Sequence, residues 1–266
     1  MPISLICDRV KTSKKRRRFI IMKCRNFAHR GFSGKYPENT MTAFEKAIEI
    51  GCEGIELDVH FTKDKEIVIT HDEKIDRVSN GSGLVKDMTY EELCKYDFSY
   101  IYTKEIGFCK IPTLREYFEL VKYKDIITNI ELKTGIYEYE GIEEAVYELI
   151  KEYHLEDRIL ISSFNHNSVM RMKAIAPELK FGFLSETWIL ETGEYLNRHN
   201  IEAYHPDFHM LTDKEVKDLR DHNIKINTWT VNEAKDIQRM IDIEAEGIIS
   251  NFPDRVKELL EKNGLR

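Results

Sequence analysis

The chain of 266 residues carries a formal net charge of −7, with 42% hydrophobic and 33% charged residues, values that are typical of a single globular domain. The charge argues against general nucleic-acid binding, which needs a basic surface, and no apolar run approaches the roughly 20 residues of a membrane span, so stable membrane insertion is not expected. The five cysteines include no Cys-x-x-Cys pair, which argues against a disulfide framework or a zinc site and favours a reducing, cytoplasmic location.

The first segment, residues 1–24, is predicted to be a disordered basic extension that precedes a single folded domain at residues 25–266. It contains a basic run at residues 14–18, and the apolar stretch that follows, residues 19–22, is too short for a secretory signal. A tether to anionic lipid is one interpretation of the basic run. A disordered extension, or a chain that starts at Met22, is simpler, and we favour it.

From residue 25 onward, short β-type runs alternate with amphipathic helical stretches. The predicted parallel strands cover residues 26–29, 54–62, 126–133, 158–164, 180–185, 203–208, 225–231 and 247–251. Helical patterns at residues 41–50, 141–153, 168–176, 213–222 and 232–241 separate them, with N-caps predicted at Thr212 or Asp213 and at Asn232. Strands that alternate with helices form parallel βαβ units, and eight of them in a chain of this length favour an α/β fold closed into a (β/α)8 barrel.

One connection, after the second strand, is much longer than the others. A short strand over residues 66–71 is predicted to pair back on the second strand, and roughly 40 residues then pass before a helix near Thr113. This stretch contains a turn cluster at residues 80–83 and a capping box that begins at Thr89. Because a structureless loop of that length is unusual, we predict an inserted subdomain over about residues 73–112. It would cover the barrel end where active sites lie.

Acidic residues occur inside two of the predicted strands. Residues i and i+2 of a strand point to the same face, so Glu56 and Asp58 share a face, as do Glu131 and Lys133. Like charges about 4 Å apart repel by about 4 kcal/mol at an effective dielectric constant of about 20, so buried acids need a partner. Separate pairing with basic side chains is one explanation. The recurrence of the pattern favours instead one hard divalent cation, Mg²⁺ or Ca²⁺, on Glu56, Asp58 and Glu131.

Two histidines follow apolar runs at predicted strand ends. His29 precedes Arg30 and a glycine, where backbone N–H groups can approach an anion, and Arg30 can bind a phosphate with a bidentate fork. His71, followed by Asp72, ends the short strand. Because the unperturbed pKa of histidine, about 6.5, suits proton transfer, His29 and His71 are predicted to exchange protons with the nucleophile and the leaving alkoxide.

The remaining aromatic candidates are open to two interpretations. Trp229, at the end of the seventh parallel strand, either forms an apolar wall of the pocket or packs in the barrel. His205 and His209 either line the pocket or lie in a surface loop, and we favour the surface. Four further histidines are expected to be solvated: His154, His166, His199 and His222.

The order of these residues resembles the glycerophosphodiester phosphodiesterase family over about residues 26–254. The similarity rests on residues 29–31 (HRG), 37–40 (PENT), 56–59 (ELDV), 62–72, 131–133 (ELK), 229–232 (WTVN) and 247–253. It implies a TIM barrel with a small insertion after the second strand. It also implies metal-dependent hydrolysis of small-molecule glycerophosphodiesters, such as glycerophosphocholine or glycerophosphoethanolamine, to an alcohol and glycerol 3-phosphate. A glycerol hydroxyl of the substrate would attack phosphorus first, and water would then open the cyclic phosphate.

Carried over to this sequence, the resemblance implies a role for each matched residue. The acid/base pair would be His29 and His71; the metal ligands Glu56, Asp58 and Glu131; and the phosphate- and substrate-binding residues Arg30, Lys133 and Trp229. Glu38 and Asn39 would support these groups. The chain departs from the family at residues 63–65 (KDK for the usual Asp-Gly) and at residues 250–251 (SN for the commoner Thr-Asp), and neither departure is expected to touch a catalytic group.

Two alternatives to this function stay open. A phospholipase C- or D-like hydrolase on the same fold, acting on lysophospholipid or phosphoinositide headgroups, would expose an apolar rim around its site. A non-catalytic barrel used as a binding module would lack a histidine or a metal carboxylate, and none is missing. The released alcohol, the preferred cation and the oligomeric state are not defined by the sequence.

Overall fold

The computed structural model describes residues 24–99 and 102–266. The strands in this part of the chain are β1 (Arg25–His29), β2 (Gly54–Phe61), β3 (Ile67–Ile69), β4 (Ile127–Leu132), β5 (Ile159–Ser163), β6 (Lys180–Ser185), β7 (Ala203–Pro206), β8 (Lys225–Thr228) and β9 (Gly247–Ser250). All except β3 run parallel, and β1 pairs with both β2 and β9, so eight strands close into a barrel. The basic run predicted within residues 1–24 lies outside the described residues, while Cys24 is buried.

A helix follows each barrel strand. The described helices are α1 (Met41–Glu49), α2 (Tyr90–Leu93), α3 (Thr103–Ile106), α4 (Leu114–Val121), α5 (Ile142–Tyr153), α6 (His166–Ile175), α7 (Thr192–Arg198), α8 (Asp213–Asp221), α9 (Ala234–Asp242) and α10 (Pro253–Lys262). The predicted (β/α)8 barrel is confirmed, and the predicted strand and helix bounds agree with these to within three residues. Of the described helices, none combines the length and the apolar character needed to cross a membrane.

Strand β2 shows how the sequence directs side chains into the site. Ile55, Leu57 and Val59 are fully buried in the main hydrophobic core, and each contributes about 2 kcal/mol of burial free energy. Since alternate residues of a strand face opposite sides, this outward packing turns Glu56 and Asp58 toward the barrel axis. A register slip of one residue would turn both acids into the apolar core and is therefore strongly disfavoured.

The two predicted helix N-caps have different outcomes. The Thr212 side chain accepts a hydrogen bond from the Glu215 N–H at the start of α8, as predicted. The prediction for Asn232 is wrong, because the residue that precedes α9 is Glu233. The Asn232 side-chain oxygen is already engaged, since it accepts a hydrogen bond of 3.0 Å from the backbone N–H of Asn251 at the end of β9.

The long connection after β2 begins as a hairpin. Strand β3 pairs antiparallel with β2, with Val59 opposite Ile69 and Phe61 opposite Ile67, as expected for a strand that folds back. The described residues beyond it form a small apolar cluster of their own, made of Val68, Ile75, Val85, Leu93, Phe98 and Ile111. The predicted capping box opens α2. A core separate from that of the barrel supports the inserted subdomain that we propose for residues 73–112.

The barrel interior below the strand ends is polar and tightly packed. His205, which we predicted to lie on the surface, is fully buried in β7 because its ring fills the space beside Gly182. Its Nε2 accepts a hydrogen bond of 3.0 Å from the Asn227 side chain. The prediction for His166 is wrong as well, since its ring is half-buried and stacks on Phe183 with 4.0 Å between the ring centroids. Histidine rings therefore serve as packing units in this barrel.

The contact between Gly182 and His205 predicts a packing penalty for any side chain at position 182. A Cβ there would lie 2.3 Å from His205 Nε2, whereas a Cβ on Gly135 would meet nothing within 4 Å. We expect Gly182→Ala to lower the free energy of unfolding by about 1–3 kcal/mol, and the matched control Gly135→Ala to stay within about 0.5 kcal/mol of wild type. Urea unfolding followed by circular dichroism measures both, and equal stabilities would contradict the close packing.

Burial of His205 also predicts a pH dependence of stability. Burial lowers the pKa of His205 to about 3, against about 6.5 in the unfolded chain. Between these values only the unfolded chain binds the proton, so the neutral ring contributes its full stabilisation above pH 6.5 and loses it as the pH falls toward 3. We expect the stability advantage of wild type over His205→Gln to shrink by about 1 kcal/mol per pH unit between pH 6 and 4.

Urea unfolding at several pH values tests this expectation, with His209→Gln as the control for an exposed histidine. A wild-type advantage over His205→Gln that stays constant across this pH range would show that the folded protein accommodates the charged ring.

Candidate active site

A cavity of about 520 Å³ opens at the carboxyl ends of the barrel strands. Among the residues that line it are His29, Arg30, Glu56, His71, Glu131, Lys133 and Trp229, all of them predicted site residues. The other predicted residues, Glu38, Asn39 and Asp58, each contact Arg30, which belongs to this set. The structure therefore brings the ten predicted residues together around one cavity.

Three carboxylates converge because β2 and β4 are neighbours. Asp58 lies opposite Glu131 in the parallel register, and Glu56 precedes Asp58 by two residues on the same face. One oxygen from each residue lies within 4.8 Å of the other two, and all three residues are buried. Burial, together with the charges of Asp58 and Glu131, raises the pKa of Glu56 well above its usual value. Burial also raises the pKa of Glu131.

Asp58 differs from the other two acids because its pKa is lowered rather than raised. Burial alone would raise the pKa of Asp58, but the positive charges of Arg30 and Lys133 outweigh it and hold this pKa well below its usual range. The Asn39 side chain donates a hydrogen bond of 2.9 Å to Asp58 Oδ2. The other carboxylate oxygen of Asp58, Oδ1, is buried and has no hydrogen-bond partner among the described residues. The Lys133 ammonium lies 3.8 Å from it.

This donor set fits a divalent cation. Three carboxylates provide the oxygen ligands that hard cations such as Mg²⁺ and Ca²⁺ prefer, and a cation between them would offset their mutual repulsion. The unpartnered Oδ1 of Asp58 is a lone acceptor of the kind that a metal ion satisfies. Glu56, Asp58 and Glu131 are the residues that could hold it.

Two basic side chains flank the carboxylates. Arg30 donates from its backbone N–H to Glu56 Oε2 at 3.0 Å and from Nη1 to Glu38 Oε1 at 2.9 Å, and its Nε lies 3.5 Å from Asp58 Oδ2. Its backbone adopts the left-handed region with a φ of 55°. Lys133 Nζ donates to Glu131 Oε1 at 2.7 Å. Both groups are placed to bind the oxygens of a phosphate beside the carboxylates.

The His29 ring is held by a neutral partner. Its Nδ1 lies 2.5 Å from Asn251 Oδ1, and Ser33 Oγ donates to that same oxygen at 3.1 Å. Because the amide oxygen only accepts, Nδ1 carries the proton, and Nε2, 3.9 Å from Glu56 Oε2, has a free lone pair. Burial and the Arg30 charge lower the pKa of His29 to about 3. The expectation that the departure at position 251 touches no catalytic group is therefore wrong.

The His71 ring is held by a charged partner. Its Nδ1 lies 2.6 Å from Asp72 Oδ1, and this hydrogen bond holds the pKa of Asp72 below its usual range. The backbone oxygen of His71 accepts from His60 Nε2 at 3.1 Å, while Nδ1 of His60 lies 2.9 Å from Tyr139 Oη. The sequence pattern missed His60 and Tyr139. Their only signal was a histidine on the inward face of β2, two residues beyond Asp58.

The opposite wall of the cavity is largely apolar. Trp229 and Phe164 meet edge to face with 5.5 Å between their ring centroids, and both line the cavity with Leu184 and Ile249. The Trp229 indole donates from Nε1 to the backbone oxygen of His205 at 2.8 Å, which fixes the ring. An anion-binding side and an apolar side suit a substrate with a phosphate and a carbon-rich alcohol.

Comparisons with known proteins agree with this geometry. The sequence model described as "Glycerophosphoryl diester phosphodiesterase family" matches residues 29–255. A glycerophosphodiester phosphodiesterase of Caldanaerobacter subterraneus subsp. tengcongensis is 42% identical over 243 residues, covering 91% of this chain and 100% of that protein. Another, from Bacillus altitudinis, is 43% identical over 239 residues and covers 89% and 98%.

A solved structure extends the comparison to the fold. The Oleispira antarctica phosphodiesterase, determined in complex with the product sn-glycerol-3-phosphate, has a TM-score of 0.82 to this chain and is 28% identical to it. The match covers 88% of this chain and 96% of that one. The similarity therefore spans nearly the whole described domain.

Proposed function

The chain belongs to the glycerophosphoryl diester phosphodiesterase family, and on this premise we propose that it hydrolyses glycerophosphodiesters to an alcohol and glycerol 3-phosphate. Glycerophosphocholine and glycerophosphoethanolamine are the proposed substrates, and one Mg²⁺ or Ca²⁺ ion is the proposed cofactor. The observation that carries the proposal is the convergence of three buried carboxylates within 4.8 Å in a cavity that His29 and His71 also line. A cytoplasmic location, from the cysteine content, is part of the same proposal.

Residues on one side of the cavity would neutralise the negative charge of the substrate phosphate. Glu56, Asp58 and Glu131 would hold the cation, which, when bound, polarises a phosphoryl oxygen. Arg30 would bind the phosphate through its guanidinium, which its contacts to Glu38 and Asp58 already orient. Preorganised donors of this kind stabilise charge that develops in the transition state without a cost of reorganisation.

The different partners of the two histidines support different roles. His29, neutral and with a free Nε2, would take the proton from a glycerol hydroxyl as that oxygen attacks phosphorus. His71, oriented by Asp72, would give a proton from Nε2 to the leaving alkoxide, and the bond from phosphorus to the alcohol oxygen breaks. The cyclic phosphate that results is opened by water. In that step His71 takes a proton from the water and His29 returns one to the glycerol oxygen, which restores both rings.

A second substrate class is favoured by one observation. The loops after β4 and β6, beside the cavity, expose the apolar side chains of Ile136, Trp188 and Leu190, with Leu190 91% exposed. Exposed apolar side chains near a cavity mark binding surfaces for lipid or protein more often than isolated ones do. A lysophospholipid, whose phosphate would occupy the same position as that of a glycerophosphodiester, is therefore the second candidate substrate.

One panel of assays tests both the proposed substrate and the proposed cofactor. After removal of metal with EDTA we expect release of glycerol 3-phosphate from glycerophosphocholine to stop, and Mg²⁺ or Ca²⁺ to restore it, because the unbalanced carboxylates repel the phosphate. Lysophosphatidylcholine, assayed in parallel, tests the second candidate. Full activity in the stripped protein would contradict the metal site, and calorimetry of metal binding to Asp58→Asn checks the ligand set independently of turnover.

The acid/base roles predict the effect of removing either imidazole. We expect His29→Ala and His71→Ala each to lower kcat by about 10²–10⁴-fold, since no other described side chain replaces the lost proton donor or acceptor. His209→Ala, at an exposed position outside the cavity, is the matched control and should keep wild-type kcat. Circular dichroism confirms the fold of each variant. Wild-type rates in both site variants would overturn the assignment.

A further inference from the structure

Arg77, in the segment that follows β3, bridges two carboxylates at the edge of the active site. It donates to Glu38 from Nη1 and Nη2, at 2.7 and 2.8 Å. It also donates to Asp72 from Nε and Nη2, at 2.7 and 3.1 Å. All three guanidinium nitrogens are engaged, and each carboxylate is bound in a bidentate manner, the strongest and most directional geometry that arginine offers.

Each of the two carboxylates also accepts a hydrogen bond from a residue with a proposed role in the reaction. Asp72 Oδ1 accepts from Nδ1 of His71 at 2.6 Å. Glu38 Oε1 accepts from Nη1 of Arg30 at 2.9 Å. A continuous network of hydrogen bonds therefore runs from the His71 ring through Asp72, Arg77 and Glu38 to the Arg30 guanidinium.

We propose that Arg77 is a positioning residue of the active site, which sets the proton-transferring ring of His71 and the phosphate-binding guanidinium of Arg30 relative to each other. The inference rests on the proposed function of the same site. It assigns part of that function to the inserted segment, because Arg77 lies between Ile75 and Val78, which pack into the separate apolar cluster. The insertion thereby contributes to catalysis through the orientation of barrel residues.

The contribution of Arg77 is geometric rather than a matter of stability. Its side chain is 48% exposed, and exposed ion pairs contribute about 0–1 kcal/mol. Fixing the Asp72 carboxylate, however, determines which nitrogen of His71 carries the proton and which faces the cavity. In metal sites, mutation of a residue that hydrogen-bonds to a ligand of the metal typically lowers metal affinity or activity by about 10–100-fold. Lysine, a point charge with no planar fork, cannot bind both carboxylates in this way.

The test compares Arg77→Gln and Arg77→Lys with a matched control in the full-length, metal-loaded protein. We expect Arg77→Gln to lower kcat for glycerophosphocholine by about 10–100-fold with a smaller change in KM, and Arg77→Lys to recover only part of the loss. Arg198→Gln, which removes an exposed arginine paired with Glu194 on α7, should retain wild-type kinetics. Where Arg77→Gln lowers the urea midpoint too far for assay, Arg77→Lys carries the comparison.

A second readout follows the His71 ring itself. In wild type labelled with ¹⁵N histidine, Nδ1 of His71 should show the shift of a protonated nitrogen that is hydrogen-bonded to Asp72, and in Arg77→Gln this shift should change because the carboxylate is no longer held in place. In Asp72→Asn/Arg77→Gln, kcat should fall by less than the product of the two single losses, because both changes act on the same ring and only the part of the Arg77 effect that runs through Glu38 and Arg30 adds to the loss in Asp72→Asn. Wild-type kcat and unchanged ring shifts in Arg77→Gln would overturn the inference.

The two proposals fail in distinguishable ways. A wild-type protein that hydrolyses no glycerophosphodiester with either metal would refute the proposed function, while the ¹⁵N shifts of His71 would still report whether Arg77 orients the ring. Conversely, an active wild type with Arg77→Gln indistinguishable from Arg198→Gln would refute the role of Arg77 and leave the proposed function standing.

Discussion

Repulsion among Glu56, Asp58 and Glu131 is the constraint to which the rest of the site responds. Parallel pairing of β2 with β4 forces these side chains onto one interior face, where water can no longer screen them. Arg30 and Lys133 offset part of the charge, and protonation of a carboxyl is the alternative when positive charge is insufficient. A site with this balance would attract the proposed divalent cation and, next to it, the phosphate of the substrate. The mutual repulsion of the carboxylates would thus itself favour the binding of a cation.

The site draws on both parts of the domain. Barrel strands supply the carboxylates and His29, whereas the hairpin and the segment after it supply His71 and its partners. On the far side, the hydrogen bond from Trp229 to the backbone of His205 ties the apolar wall to the buried interior of the barrel. Each wall of the cavity is therefore fixed by packing that lies one layer below it, which is the usual requirement for a preorganised site.

Much of the barrel and the shared inward face of the acidic side chains could be predicted from the sequence, because both follow from local alternation. Glu56 and Asp58 share a face by strand geometry alone, and the capping box at Thr89 is a contact over three residues. The contacts that escaped prediction join distant segments. Asn251 reaches His29 across 222 residues, and Arg77 meets Glu38 across 39. His205 was misplaced because a polar residue in a short strand has no periodic signal that separates an interior from a surface position.

A neutral amide beside one imidazole and a carboxylate beside the other make the two ends of the reaction chemically unequal. Asn251 gives His29 no charge with which to retain a proton, while Asp72 places a negative charge beside the His71 ring. A diester bound the other way round would present its leaving oxygen to a ring with no proton to give. Orientation in the cavity then decides which phosphorus–oxygen bond breaks. The different partners of the two histidines would therefore set the regiochemistry. The free alcohol would be released rather than its phosphate ester.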